Sequence, residues 1–300
     1  MKHLLTILSL CCLAFVACSD DDDTRPSHAD KDRLETLINT DDERILQFRD
    51  DYGTYILSDF DHLLDFAYQF EQAQAWRNAT IERLSTEEAS TAVGFLCDNI
   101  FSAYSDAYKK AYFPRKLLIV KSLKGAALGA SQPAADGFHT AVANLNSVTV
   151  SRLSAADITA MQSDASRMAD FRQRVHTAII ASYLIGARSE YFVDDAYYDL
   201  CESYYSSLMT PQRTQAGKLG EDFFYDRGFF FPDDDESTYF VNSVDDLTAY
   251  TTHLICMDQA THDIVTGHVT MERKMKIVAQ RLKALGVDVA AINPLAADFL

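Results

Sequence analysis

Histidines and carboxylates are numerous in this chain, and three of them converging would be enough to hold a catalytic zinc ion. Asp246 and His253 are seven residues apart in a stretch of helical periodicity, so they share a face, and either could approach His176 on another helix. They form the alternative ligand set for a metal; a polar stripe facing solvent is their expected role. His139, His262 and His268 fall in loop-like contexts without ligand spacing. Asp233-Asp234-Asp235-Glu236 concentrates acids but lacks the alternating Asp and the glycine of a calcium loop, so it reads as a solvated acidic loop. Cys97, Cys201 and Cys256 sit in apolar helical contexts that suit small buried hydrophobes. No phosphate-cradling glycine loop and no Gly-x-Ser-x-Gly elbow occurs, and the thiols lack a histidine pattern for nucleophilic catalysis. Carboxylates are too abundant to nominate a glycosidase pair. The aromatic clusters Tyr197-Tyr198, Tyr204-Tyr205, Phe223-Phe224-Tyr225 and Phe229-Phe230-Phe231 are expected to fill a core rather than form a binding platform.

Chemistry at these positions depends on the elements that carry them. Residues 31 to 50 read as an amphipathic helix, and Thr54 to Leu57, Lys116 to Val120 and Ser147 to Ser151 as strands. A long helix is expected over 86 to 111, and Ser154 starts another with Asp157 three residues on. Residues 167 to 187 are apolar on most faces, which predicts a buried helix around His176. Helices follow over 192 to 209 and from Asp245 to Met257, and a last one runs from Met271 to Leu285 and stops at Gly286. Long helices with a small β-sheet make an α+β domain, mostly helical.

The start of the chain predicts a location. Lys2 precedes an apolar stretch from Leu4 to Val16, too short to span a bilayer, and Phe15-Val16-Ala17-Cys18 is followed by Ser19 and four aspartates. The pattern resembles a bacterial lipoprotein signal, with residues 1–17 removed, Cys18 acylated and 18–29 an acidic linker ahead of a single domain over 30–300. The Ser-Asp tract resembles the signal that sends Bacteroidetes lipoproteins to the extracellular face of the outer membrane. A formal net charge of −17 argues against nucleic acid as a partner.

Four stretches, in order, carry a wider resemblance. They are Phe48 to Leu57, with Asp51-Tyr52-Gly53-Thr54-Tyr55; Tyr112 to Val120, with Phe113-Pro114-Arg115; the buried helix around His176; and Asp245-Asp246-Leu247-Thr248-Ala249 through the last helix to Leu285-Gly286-Val287-Asp288. Together they resemble the zinc-binding metallopeptidase lipoproteins of Bacteroidetes, also described as substrate-import-associated zinc metallohydrolase lipoproteins. The resemblance implies a zincin-like fold and a His-Glu-x-x-His helix aligned with His176-Thr177-Ala178-Ile179-Ile180. On that alignment His176 is a remnant ligand, Thr177 replaces the general base, Ile180 the second ligand and Ala249 a third-ligand acid. It then implies no catalytic residue and no bound zinc. The expected role is a non-catalytic binding or accessory component of a TonB-dependent nutrient-import system, with a peptide or glycan ligand. The alternative is a zinc hydrolase with rearranged ligands, Asp246 and His253.

Overall fold

The computed structural model describes residues 29–129, 131–186, 193, 195–205, 208–209, 221–231, 239–240 and 242–300. Cys18, most of the acidic linker and Asp233 to Glu236 lie outside the described residues. The chain divides into two units, Met1–Leu37 and Ile38–Leu300. In the first, the described part is a helix, Ala29–Leu37, whose first turn carries Asp30 and Asp32 at the positive end of the helix dipole.

The second unit contains a four-stranded sheet in the order β1 (Tyr55–Leu57), β3 (Lys116–Ile119), β6 (Ser147–Val150), β5 (Ala141–Ala143). A separate pair joins β2 (Thr80–Glu82) to β4 (Ser122–Lys124). β1, β3 and β6 run parallel, and β5 closes one edge antiparallel to β6. Every residue of the three parallel strands is buried, as expected of a sheet covered on both faces. Lys116 is buried with them because its ammonium meets Asp65 at 2.8 Å. Asn144 and Ser147 donate to the Asp65 main-chain carbonyl, each at 3.2 Å, which ties the β5–β6 turn to the same polar knot.

The helices used below are α1 (Thr86–Asn99), α2 (Asp106–Tyr112), α3 (Ala155–Ser163), α4 (Ala165–Thr177), α5 (Ser243–Cys256), α6 (Gln259–Gly267) and α7 (Val269–Leu285). Ser85 and Glu88 close a capping box at the head of α1, and the Ser154 hydroxyl accepts the Asp157 N–H at 3.1 Å at the head of α3. α4 continues through Ala178–Ile185 in wider π-helical winding, and all of that stretch except Ser182 is buried. It packs against β5, β6 and α5. α7 ends at Gly286, whose φ of +100° favours glycine and where a Cβ would collide with the Ser105 side chain.

The α+β architecture expected from the sequence is the one observed. Several boundaries differ for local reasons. The helix expected over 31 to 50 breaks at Asn39-Thr40-Asp41-Asp42, residues that favour turns, and restarts at Glu43 with Asp42 as its cap. The helix expected over 86 to 111 breaks before Ser105, whose hydroxyl caps α2 by accepting the Tyr108 N–H at 3.2 Å. Over 192 to 209 the described residues form a short helix, Asp195–Tyr198, a 3-10 turn, Glu202–Tyr204, and a two-residue strand, Leu208–Met209, paired with Tyr239–Phe240. The aromatic clusters fill a core: Phe224 and Phe229 are buried around Cys201, with Tyr204, Tyr205, Phe223 and Phe231 packed against them.

Candidate functional site

β5 has one strand neighbour, so half of its main-chain groups point away from the sheet. Ser151 N–H bonds to the Thr140 carbonyl at 2.8 Å and Asn144 N–H to the Ser147 carbonyl at 2.9 Å. Antiparallel pairing alternates, so Thr140, Val142 and Asn144 face β6, while the amides of Ala141 and Ala143 lie on the open edge. The Ser131 hydroxyl, 3.0 Å from the Ala141 carbonyl, takes one group of that edge.

This edge forms one wall of a cavity of about 420 Å³. α4 supplies the opposite wall through Asp170, Gln173, Arg174, Thr177 and Ser182, which recur at helical spacing on one face. α5 contributes Thr248, Thr252 and Cys256, each four residues from the last. The Thr177 hydroxyl and the Cys256 sulfur are 3.6 Å apart, joining the two helices at the cavity wall. A second cavity of about 550 Å³ shares Thr140 and Asp170 with the first, so the space extends past β5 toward α3. Arg152 lines that second space and grips Asp136 through both carboxylate oxygens, at 2.8 and 2.6 Å, from a backbone φ of +64°.

His176 lies on the other side of α4. It is fully buried, with Nδ1 2.7 Å from the Tyr104 hydroxyl, and Nε2 has no partner among the described residues. Burial, with Arg172 nearby, pushes its pKa down to about 3, so the ring is neutral. Ile180 is likewise in the core, and Ala249 is half-buried and not part of the cavity wall. Of the positions aligned with the motif's ligands and general base, Thr177 is the one on the cavity wall, with Ala178 beside it. The helix face that a ligand pair four residues apart would need here carries Gln173 and Thr177, with Arg174 beside them.

Asp246 and His253 take roles that differ from the solvent-facing stripe expected of them. Asp246 is buried and receives the Lys274 ammonium at 2.6 Å, the Tyr205 hydroxyl at 2.6 Å and the Tyr197 hydroxyl at 2.9 Å. Lys274 also donates to the Gly228 carbonyl at 2.9 Å and sits 4.5 Å from the Tyr250 ring centre and 4.6 Å from that of Phe229. This cluster was missed by the sequence reading, although one signal pointed to it. Lys274 falls between Met271, Met275 and Val278 on the apolar stripe of α7, and a lysine there requires a buried partner. His253 stacks on Phe230 with ring centres 3.7 Å apart.

His139 is buried just ahead of β5, and His262 lies within α6, bonded to Asp298 at 3.0 Å. Cys201 is buried and Cys97 half-buried, but Cys256 is exposed because it stands on the cavity side of α5. The packing around its sulfur still raises the thiol pKa. Among the described residues, no three His, Cys, Asp or Glu side chains are grouped to hold a metal ion.

No family model matches the chain, and no curated protein matches it. Among solved structures it is similar to one described as a "putative zinc-binding metallo-peptidase" from Bacteroides caccae, at 12% identity and a TM-score of 0.44 over 91% of this chain and 93% of that one. A likeness so distant leaves the chemistry of the cavity to be read from its own residues.

Proposed function

We propose that the chain is a lipid-anchored outer-membrane protein that holds an extended ligand, a peptide before a glycan, in the cavity beside β5. In this reading it serves a TonB-dependent nutrient-import system without zinc hydrolysis. The observation that supports it is the open edge of β5, where Ala141 and Ala143 present main-chain groups to the cavity. An added strand gains affinity from such main-chain bonds and selectivity from flanking pockets. The antiparallel edge strand facing a buried helix also suits a zincin-like ancestry, and Cys18 and the Ser-Asp tract suit the surface location.

Zinc does not fit the cavity wall. Catalytic sites need three protein ligands, and the wall offers one carboxylate, Asp170, held by Arg174 at 2.9 Å, and one thiol, Cys256. The other polar side chains there are hydroxyls, amides and a guanidinium, which hydrogen-bond to a ligand.

Equilibrium binding of the purified protein to a mixed-sequence peptide library tests the reading. Retention of a peptide class, with loss on Ala143→Pro, which deletes one edge N–H, is the expected result. Elemental analysis showing stoichiometric zinc would overturn it in favour of hydrolysis. For the location, Cys18→Ala should release the protein from membranes, and proteolysis of intact cells should remove it.

A further inference from the structure

We propose that Ser131 and His139 form a nucleophile and base at one end of the cavity, and that the protein carries acyl-transfer activity toward small esters. The pair goes beyond the binding reading and does not depend on it.

Three distances build the site. The Ser131 hydroxyl is 3.2 Å from His139 Nδ1, and Ser131 lines the cavity. His139 Nε2 is 2.9 Å from the Ala126 carbonyl. A carbonyl only accepts, so Nε2 carries the proton, and Nδ1 presents its lone pair to the serine. The imidazole is thus held in the tautomer that a base needs, by a main-chain group in the role that a carboxylate fills in a triad. Burial, the largest influence on the ring, lowers its pKa and so favours the neutral form.

The open edge of β5 supplies the rest. In the resting state the serine proton is divided between the Ala141 carbonyl, at 3.0 Å, and His139, and rotation of the O–H bond moves it from one to the other. The next group along that edge is the Ala143 N–H, which the register turns away from β6 and toward the cavity side, where it would hold a developing oxyanion. The cavity of about 420 Å³ admits a short acyl group against Leu128 and Val142.

The reaction balances with water as the co-reactant. Ser131 Oγ bonds to the ester carbonyl carbon while its proton passes to His139 Nδ1. The carbon–alkoxy bond then breaks, and the alcohol leaves with that proton. Water attacks the acyl-serine by the same route, giving a carboxylic acid and restoring the hydroxyl.

A fluorophosphonate probe, with adduct mapping by mass spectrometry on the full chain, tests the pair alongside hydrolysis of p-nitrophenyl butyrate. The adduct is expected on Ser131 and absent from Ser131→Ala, with hydrolysis falling by roughly 10²-fold or more in that variant. His139→Gln should slow both reactions to a similar degree. Should His139→Gln fail to fold, Ser131→Cys carries the test: its thiol should react with iodoacetamide faster at neutral pH than Cys256. An adduct elsewhere, no adduct, or unchanged hydrolysis in Ser131→Ala would overturn the proposal. Peptide binding without labelling would leave the binding reading standing alone, and labelling without peptide binding would do the reverse.

Discussion

The two sides of α5 put polar groups to opposite uses. On one side Asp246 is enclosed by Lys274, Tyr197 and Tyr205, so its charge is consumed by internal partners. On the other, Thr248, Thr252 and Cys256 line a cavity, where hydroxyl groups remain within reach of a ligand. The difference teaches that a buried acid is not by itself a ligand. What its oxygens already accept decides whether it is available.

Breaking the closed side should have the largest effect. Lys274→Met leaves Asp246 buried without its counter-charge, and about 3–5 kcal/mol of stability should be lost. Urea unfolding followed by circular dichroism measures it, and pairing the change with Asp246→Leu should cost less than the two single changes summed. A loss below about 1 kcal/mol for Lys274→Met would mean that the ion pair does not hold this side together.

Gly286→Ala should come next, at about 1–3 kcal/mol, because the left-handed backbone and the Ser105 side chain both resist a Cβ. It destabilises the junction of α7 and α2 without touching α5, so the cavity should keep its ligand wherever the chain remains folded.

The acid limb of stability separates core histidine from cavity residues. His176 has a folded pKa of about 3 against 6.5 for the free group. Between those values the unfolded chain binds more protons, so stability falls as pH falls, by up to about 1.4 kcal/mol per pH unit. Asp42 extends the loss below pH 3.8, because the Arg44 guanidinium holds its carboxyl at about 2 and its contribution goes as pH drops through that value. His176→Gln should flatten the curve between pH 6.5 and 3 only. An unchanged slope would show that this ring does not titrate on unfolding.

The smallest stability effect should come from the open side. Thr252→Val should change stability by less than about 0.5 kcal/mol while weakening ligand binding, since its hydroxyl lines the cavity rather than the core. A stability loss as large as that of Lys274→Met would erase the contrast between the two sides.

Much of this fold was legible in the sequence. The three parallel strands declared themselves through short β-branched and leucine-rich runs, and Ser154 and Gly286 marked helix ends by their chemistry. β5 was missed because Ala141-Val142-Ala143 is too short and too poor in β-formers to stand out, and it becomes a strand by pairing with β6. The site was harder. A motif alignment gives spacing along α4, but one residue turns a helix by about 100°, enough to send His176 into the core while Thr177 meets the cavity. The Ser131–His139 contact joins a turn to a strand approach eight residues later, and no short motif encodes it.

One consequence of the edge strand concerns the protein's own company. Unpaired edges invite other copies to add strands, and soluble proteins usually defend them with charge, proline or bulges. Here the defence is architectural: β5 is three residues long and stands across a cavity from α4. An edge so short offers few main-chain groups to the strand of another copy, which limits self-association through it.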